Sequence, residues 1–279
     1  MCRGNPTGGS NPPLSASFID RESPSPSGPG PEAGSCASQV ARPAWGAGLT
    51  LVFSAVAATV FVGVESVVTL GFALWHLAGA PHSDQAAVST VLQSNGLLVA
   101  TATILAGPPT LGCLALLAWS RKGPSLQEYF AFRSVAASTL LAWLSLTALL
   151  AAGSDGLTYL LGRPLVPEWV ASVYRTATFP PVLWFALLVM APLTEEVLFR
   201  GFLMEGLRSS ALGSPGALLV TSAAWAATHV QYDAYEVSLV LVSGLLLGAA
   251  RLRTRSIYAP LAMHALYNLI ATLEVALTT

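Results

Sequence analysis

Residues 48–77, GLTLVFSAVAATVFVGVESVVTLGFALWHL, form a long apolar run that contains one carboxylate, Glu65. A helix needs about 20 predominantly apolar residues to cross the hydrocarbon core of a bilayer, so this run predicts a membrane-spanning helix. The whole chain has the same character, because 53% of its 279 residues are hydrophobic and only 10% are charged. Its mean hydropathy is +0.62. The sequence therefore predicts an all-α, polytopic integral membrane helix bundle.

Similar apolar runs follow along the chain, and we expect about seven transmembrane helices in all. The second run contains Gly107, Pro108 and Pro109, which predict a kink. Between the second and third runs, SLQEYFAFR (125–133) is typical of a short amphipathic segment on the membrane surface. The predicted spans are residues 48–77, 94–120, 134–152, 180–203, 214–232, 236–252 and 257–277.

Residues 1–44 have a different composition, rich in Gly, Pro and Ser and poor in large apolar side chains. Such a segment cannot bury enough surface to offset its conformational entropy. The sequence therefore predicts a disordered tail followed by one membrane domain over 45–279. The formal net charge of −1 gives no indication of a nucleic-acid partner. The three scattered cysteines predict neither a disulfide framework nor a cysteine metal site.

The basic residues of the loops predict an orientation. With a cytoplasmic N-terminus, the outer connections hold only Arg163 and Arg175, which fits the positive-inside rule. Seven spans then place the C-terminus outside. The inner connections hold Arg42, Arg121, Lys122, Arg133, Arg208, Arg251, Arg253 and Arg255.

Ionisable groups inside spans are costly and are therefore candidates for function. The first cluster is APLTEEVLFRGFL, residues 191–203. Glu195 and Glu196 point about 100° apart on a helix. Glu196 and Arg200 are four residues apart, in the order that favours an ion pair. Glu195 is then free to face a reaction centre. The alternative is a solvated helix end near the membrane interface.

Two further clusters carry histidines. His229 lies one helical turn after Trp225, and His264 shares a helix face with Asn268. Each has a structural alternative, because a lone histidine or an interhelical hydrogen bond can serve packing alone. Glu65 in the first span has no evident partner.

Together the three clusters offer enough groups for hydrolysis. A glutamate assisted by a histidine can remove a proton from water. A second histidine and a carboxamide can donate hydrogen bonds to a developing oxyanion. The prediction requires that the three helix faces meet.

The motifs EExxxR (Glu195, Glu196, Arg200), aromatic-xxx-His (Trp225, His229) and HxxxN (His264, Asn268) resemble, in order and spacing, those of the CAAX-protease and bacteriocin-processing (CPBP) family of intramembrane proteases. The flanking sequences SLQEYFAFR and GLLLGAARLRTRSIYAPLAMHALYNL resemble it too, so the likeness covers roughly residues 125–275. The family usually has Phe where this chain has Trp225.

The resemblance implies an intramembrane glutamic endopeptidase that acts on a membrane-associated protein or peptide without a cofactor. In that mechanism Glu195 is the general base and His229 positions or polarises the water. His264 and Asn268 form the oxyanion hole. Glu196, Arg200 and Trp225 support the site.

Three alternatives stay open. Zinc could activate the water if Glu195, His229 and His264 were its ligands, although the chain lacks HExxH. The protein could be a non-catalytic membrane scaffold of the same fold. A transporter is the third alternative, but the polar clusters lie only in the second half of the chain.

The high Ala, Gly and Leu content with few lysines favours a bacterial inner membrane. Because prenylated CAAX proteins are eukaryotic, we expect a substrate that is cut near a membrane anchor rather than a prenylated protein.

Overall fold

The computed structural model describes residues 45–79, 85–121 and 125–278, and the chain is helical there without any β-strand. The predicted disordered tail, residues 1–44, lies outside the described residues. The helices are α1 (Ala47–Gly79), α2 (Gln85–Ser94), α3 (Gly96–Ser120), α4 (Leu126–Tyr129), α5 (Ala137–Leu160), α6 (Glu168–Arg175), α7 (Pro180–Arg208), α8 (Gly213–Ala227), α9 (Ala234–Thr254) and α10 (Tyr258–Thr278).

Six of these helices, α1, α3, α5, α7, α9 and α10, are long and apolar enough to cross a membrane, counting only the part of the chain that the structure describes. The predicted all-α membrane helix bundle is therefore confirmed. The remaining predicted span, 214–232, corresponds to α8, which has 15 residues and is about 22 Å long. The count of seven stays a prediction.

The fifth predicted span, 214–232, was wrong at its C-terminal end. Helix α8 stops at Ala227, and the next residues form turns in which the amides of Thr228 and His229 bond to carbonyls three residues earlier. Asp233 then caps α9 by accepting hydrogen bonds from the amides of Tyr235 and Glu236. The predicted span fails over 228–232 because these bonds reach back three residues instead of the four of an α-helix. The extended backbone at Asp233 then starts a separate helix.

The third predicted span, 134–152, was too short, because α5 continues to Leu160. Its last turns carry polar side chains that face the protein, and Ser154 and Thr158 are buried. The Thr158 hydroxyl lies 2.7 Å from the Tyr235 hydroxyl on α9. Apolar composition alone therefore underestimates the length of a helix whose polar side chains form hydrogen bonds with a neighbouring helix.

Helix α7 lies at the centre of the bundle and contacts α1, α3, α8 and α10. It is not a uniform α-helix, since Ala186–Met190 and Val197–Leu203 are π-helical. Every residue of the second π segment is buried. Short π-helical stretches inside α-helices often occur at functional sites, and here they flank Glu195 and Glu196.

Gly107 lets α3 approach α7 closely. A Cβ atom at this position would lie 2.5 Å from Met190 Cε and 3.0 Å from Thr194 Oγ1. Helix α3 continues through Pro108 and Pro109, and the kink predicted there stays a prediction. The glycine therefore brings α3 against the turn of α7 that precedes Glu195.

The segment 125–133 forms only one helical turn, and its aromatic side chains pack into the protein. Tyr129 and Phe130 are buried, and the Tyr129 ring lies 5.7 Å from that of Phe202. The segment predicted to lie on the membrane surface thus contributes Tyr129 and Phe130 to the protein core. Ser125 caps the turn, and the hydrogen bond from its backbone lowers the pKa of Glu128.

Candidate active site

A buried ion pair anchors the site on α7. The Glu196 and Arg200 side chains are both 0% exposed, and Arg200 Nη1 lies 3.0 Å from Glu196 Oε1. Arg200 Nη2 also donates to the backbone carbonyl of Gly244 on α9, at 3.2 Å. The ion pair predicted from the i, i+4 spacing is present, and the second bond ties it to a neighbouring helix.

His264 of α10 joins the two glutamates. Its Nδ1 lies 2.9 Å from Glu196 Oε1, and its Nε2 lies 4.0 Å from Glu195 Oε2. A carboxylate only accepts hydrogen bonds, so Nδ1 carries the hydrogen of the first contact. This bond leaves Nε2 on the side of Glu195.

Glu195 differs from Glu196 in its exposure. The Glu195 side chain is 28% exposed, whereas that of Glu196 is fully buried. Its Oε2 accepts a 2.5 Å hydrogen bond from Nε1 of Trp225 on α8. The divergence of the two adjacent carboxylates agrees with the helical angle that the sequence predicts, and Glu195 is the one that can meet water.

Trp225 contacts most of the site. The Arg200 guanidinium lies 4.5 Å from its ring centroid, and the rings of His229 and His264 lie at 5.1 and 5.2 Å in edge-on contact. The sequence suggested only an aromatic neighbour. It did not reveal the bond to Glu195, although a buried indole N–H usually requires an acceptor.

His229 lies in the turn that follows α8 rather than within a helix. Its Nδ1 is 3.0 Å from the Trp225 carbonyl oxygen. Since a carbonyl only accepts, Nδ1 is the donor and Nε2 is left with its lone pair. The ring stacks on Tyr232, with the centroids 5.8 Å apart. Burial raises the pKa of Tyr232 to about 12, so its hydroxyl is protonated at neutral pH.

Asn268 is bonded to the backbone of α7. Its Nδ2 donates to the Leu187 carbonyl at 2.7 Å, within the first π-helical segment. The sequence predicted that Asn268 and His264 serve one oxyanion. A primary amide nitrogen carries two hydrogens, so this bond leaves a second N–H, and the oxyanion role stays a prediction.

Two acidic residues outside the motifs acquire partners. Glu65 of α1, unexplained by the sequence, interacts electrostatically with Glu195. Glu274 of α10 shares a hydrogen bond with Asp155 of α5. The carboxyl groups of Glu274 and Asp155 line a cavity of about 130 Å³, and its wall also includes Tyr232, which contacts His229. The cavity therefore adjoins the site.

The zinc alternative requires Glu195, His229 and His264 to converge on one ion. No group of three or more His, Cys, Asp or Glu side chains is arranged to hold a metal within the described ranges 45–79, 85–121 and 125–278. The described side chains thus do not form that ligand set, and no step is derived through zinc.

Residues 177–270 match the family described as type II CAAX prenyl endopeptidase Rce1-like. This segment contains all seven residues of the three motifs. An Escherichia coli protein described as an uncharacterized 24.3 kDa protein is 29% identical over 114 residues, which are 38% of this chain and 52% of that protein. The chain thus spans about half the length of this curated relative. No solved structure matches the chain.

Proposed function

We propose that this integral membrane protein is an intramembrane endopeptidase of the CAAX-protease and bacteriocin-processing family, because residues 177–270 match the Rce1-like family model. One observation carries the proposal: a partly exposed carboxylate, Glu195, lies beside a fully buried Glu196–Arg200 pair and an oriented His264. Such a site combines a base that water can reach with rigid polar groups around it.

The first step is attack by water. Glu195 takes a proton from the water, and the oxygen attacks the carbonyl carbon of the scissile peptide bond. His229 can accept a hydrogen bond from the same water through Nε2, because its Nδ1 bonds to the Trp225 carbonyl. The carbonyl oxygen becomes an oxyanion, and the peptide nitrogen leaves as an amine after receiving the proton from Glu195.

The oxyanion is stabilised by His264 and Asn268. His264 must donate from Nε2 while Nδ1 donates to Glu196, so the imidazole carries both protons in this step. Glu195 is neutral at this step because it holds the proton taken from water. The two positive charges, on Arg200 and His264, are therefore balanced by the Glu196 carboxylate and the oxyanion. Asn268 contributes the N–H that does not bond to Leu187.

The mechanism uses no metal ion, so a zinc chelator is expected to leave cleavage unchanged. Loss of activity with the chelator and recovery with zinc would instead favour the metalloprotease.

The substrate is a protein or peptide associated with the bilayer. We place the enzyme in a bacterial inner membrane, as its high Ala, Gly and Leu content with few lysines favours. Its N-terminus lies in the cytoplasm, as the loop charges favour. The cleavage site lies close to a membrane anchor, since Glu195, His264 and Asn268 are carried by helices that can span the membrane.

The proposal is tested by profiling new protein N-termini in membranes that contain either the wild type or Glu195→Gln. The wild type is expected to generate N-termini that are absent with the variant, whose uncleaved precursors accumulate. Glu168→Gln is the matched control, because Glu168 is an exposed carboxylate paired with Arg175. Identical profiles for the wild type and Glu195→Gln would favour the scaffold alternative.

A further inference from the structure

The indole of Trp225 is both buried and polar. The residue is 4% exposed, and its N–H points at the carboxylate of Glu195. A hydrogen bond to a charged acceptor is stronger than one between neutral groups. The Trp225–Glu195 hydrogen bond therefore restrains the carboxylate in a way that packing of an aromatic ring alone would not.

The ring is held in place from more than one direction. Arg200 lies over its face, 4.5 Å from the centroid. On α9, a Cβ atom at Gly244 would lie only 2.9 Å from Trp225 Cε3 and 3.3 Å from Arg200 Nη2. Gly244 thus provides the space that the six-membered part of an indole needs, and its carbonyl accepts from Arg200.

Glu195 benefits most from a rigid donor. It is the more exposed of the two glutamates, while Glu196 is already fixed by Arg200 and His264. A flexible carboxylate that water can reach samples several rotamers, and a general base must stay within hydrogen-bond reach of its proton. A phenylalanine, the usual residue of the resembled family at this position, would supply a ring without a donor.

We infer that Trp225 is a positioning residue: its indole N–H holds the Glu195 carboxylate in the orientation needed to deprotonate water, in a space that Gly244 leaves open. The inference rests on the proposed role of Glu195 as the base. Trp225 acts through the Glu195 carboxylate and takes no proton itself.

The test removes the indole N–H of Trp225 in two ways. In one variant Trp225 is replaced by the analogue in which sulfur takes the place of the indole N–H, which keeps the shape of the ring system. The other variant is Trp225→Phe, which also makes the ring smaller. Trp119→Phe is the control, because Trp119 is 73% exposed. Cleavage of a peptide that the wild type cuts is measured in detergent, with thermal unfolding recorded for every variant.

We expect kcat to fall about 10- to 100-fold in both Trp225 variants, from the loss of one charge-assisted bond, with KM within about twofold of the wild type. The sulfur analogue is expected to melt near the wild-type temperature, which separates the lost donor from lost packing. If it keeps the full kcat while Glu195→Gln is inactive, the inference is overturned and the proposed function stands. If Glu195→Gln is as active as the wild type, both are overturned.

A second readout needs no substrate. The indole ring vibrations in ultraviolet resonance Raman spectra respond to hydrogen bonding at Nε1. The difference spectrum between the wild type and Glu195→Ala is expected to show one indole losing its acceptor, and this feature should vanish when both proteins carry Trp225→Phe. An unchanged indole signal in Glu195→Ala would contradict the bond itself.

Discussion

Nδ1 of His264 lies 2.9 Å from Oε1 of Glu196, the same oxygen that pairs with Arg200. One buried carboxylate therefore neutralises the arginine and orients the histidine that faces Glu195. The two adjacent glutamates thus have different roles: the partly exposed Glu195 is placed to react, and the buried Glu196 holds Arg200 and His264 in position. This division explains why two adjacent acids can serve one site without serving the same purpose.

The buried ion pair leads to the first prediction. Glu196→Ala leaves Arg200 fully buried without its partner, and breaking such a pair costs about 3–5 kcal/mol. We expect a large fall in the unfolding temperature in detergent. Glu168→Ala removes an exposed partner of Arg175, and such pairs contribute about 0–1 kcal/mol. Equal losses in the two variants would contradict the anchoring role of Glu196.

The second prediction concerns the space beside Trp225. Gly244→Ala places a Cβ atom 2.9 Å from Trp225 Cε3, so the ring or α9 must shift. Overpacking of this kind costs about 1–3 kcal/mol, and we expect lower stability and slower cleavage. Gly153 of α5 has no atom within 4 Å of the corresponding position. Gly153→Ala is thus expected to be neutral or slightly stabilising in the same assays. A neutral Gly244→Ala would show that the packing there is loose.

The third prediction concerns Glu65, which interacts with Glu195 across the boundary between α1 and α7. Two neighbouring carboxylates within membrane spans repel each other and are costly to bury. Glu65→Gln removes one of these charges, so we expect a higher unfolding temperature. Glu205→Gln serves as the control, because Glu205 pairs with Arg208 and its loss should not stabilise the protein. A lower unfolding temperature for Glu65→Gln would mean that the Glu65 charge is required for folding.

The fourth prediction uses the cap of α9. The hydrogen bond from the Glu236 amide, with Arg163 beside it, lowers the pKa of Asp233 below its ordinary value of 3.8. A carboxyl with a depressed pKa in the folded state stabilises the fold above 3.8, and this contribution is lost as the pH falls through the folded pKa. We therefore expect the wild type to melt above Asp233→Asn near neutral pH. The gap should close below pH 3.8, and a gap that stays constant would refute the charge effect.

The sequence predicted the parts of the fold and site that depend on local spacing. The run 48–77 matches α1 (Ala47–Gly79) closely, because a long apolar helix needs no partner to be recognised. The Glu196–Arg200 pair followed from a spacing of four residues on one helix. The span of α1 and the Glu196–Arg200 ion pair both depend on residues that are close together in the sequence.

The rest depends on contacts between distant helices. The Glu195–Trp225 bond joins residues 30 apart, and the Asn268–Leu187 bond joins residues 81 apart. The early end of α8 comes with turns in which the amides of Thr228 and His229 bond three residues back instead of four. No periodicity in the sequence indicates these contacts, whereas the polar character of each residue indicates that some partner must exist.

The central claim is that Glu195 activates the water. The most direct measurement is the cleavage rate of a quenched peptide library by the purified protein in detergent, for the wild type and Glu195→Gln, with and without a zinc chelator. The account predicts wild-type cleavage that persists with the chelator and falls by about a thousandfold or more in Glu195→Gln. Cleavage by Glu195→Gln at the wild-type rate would contradict it.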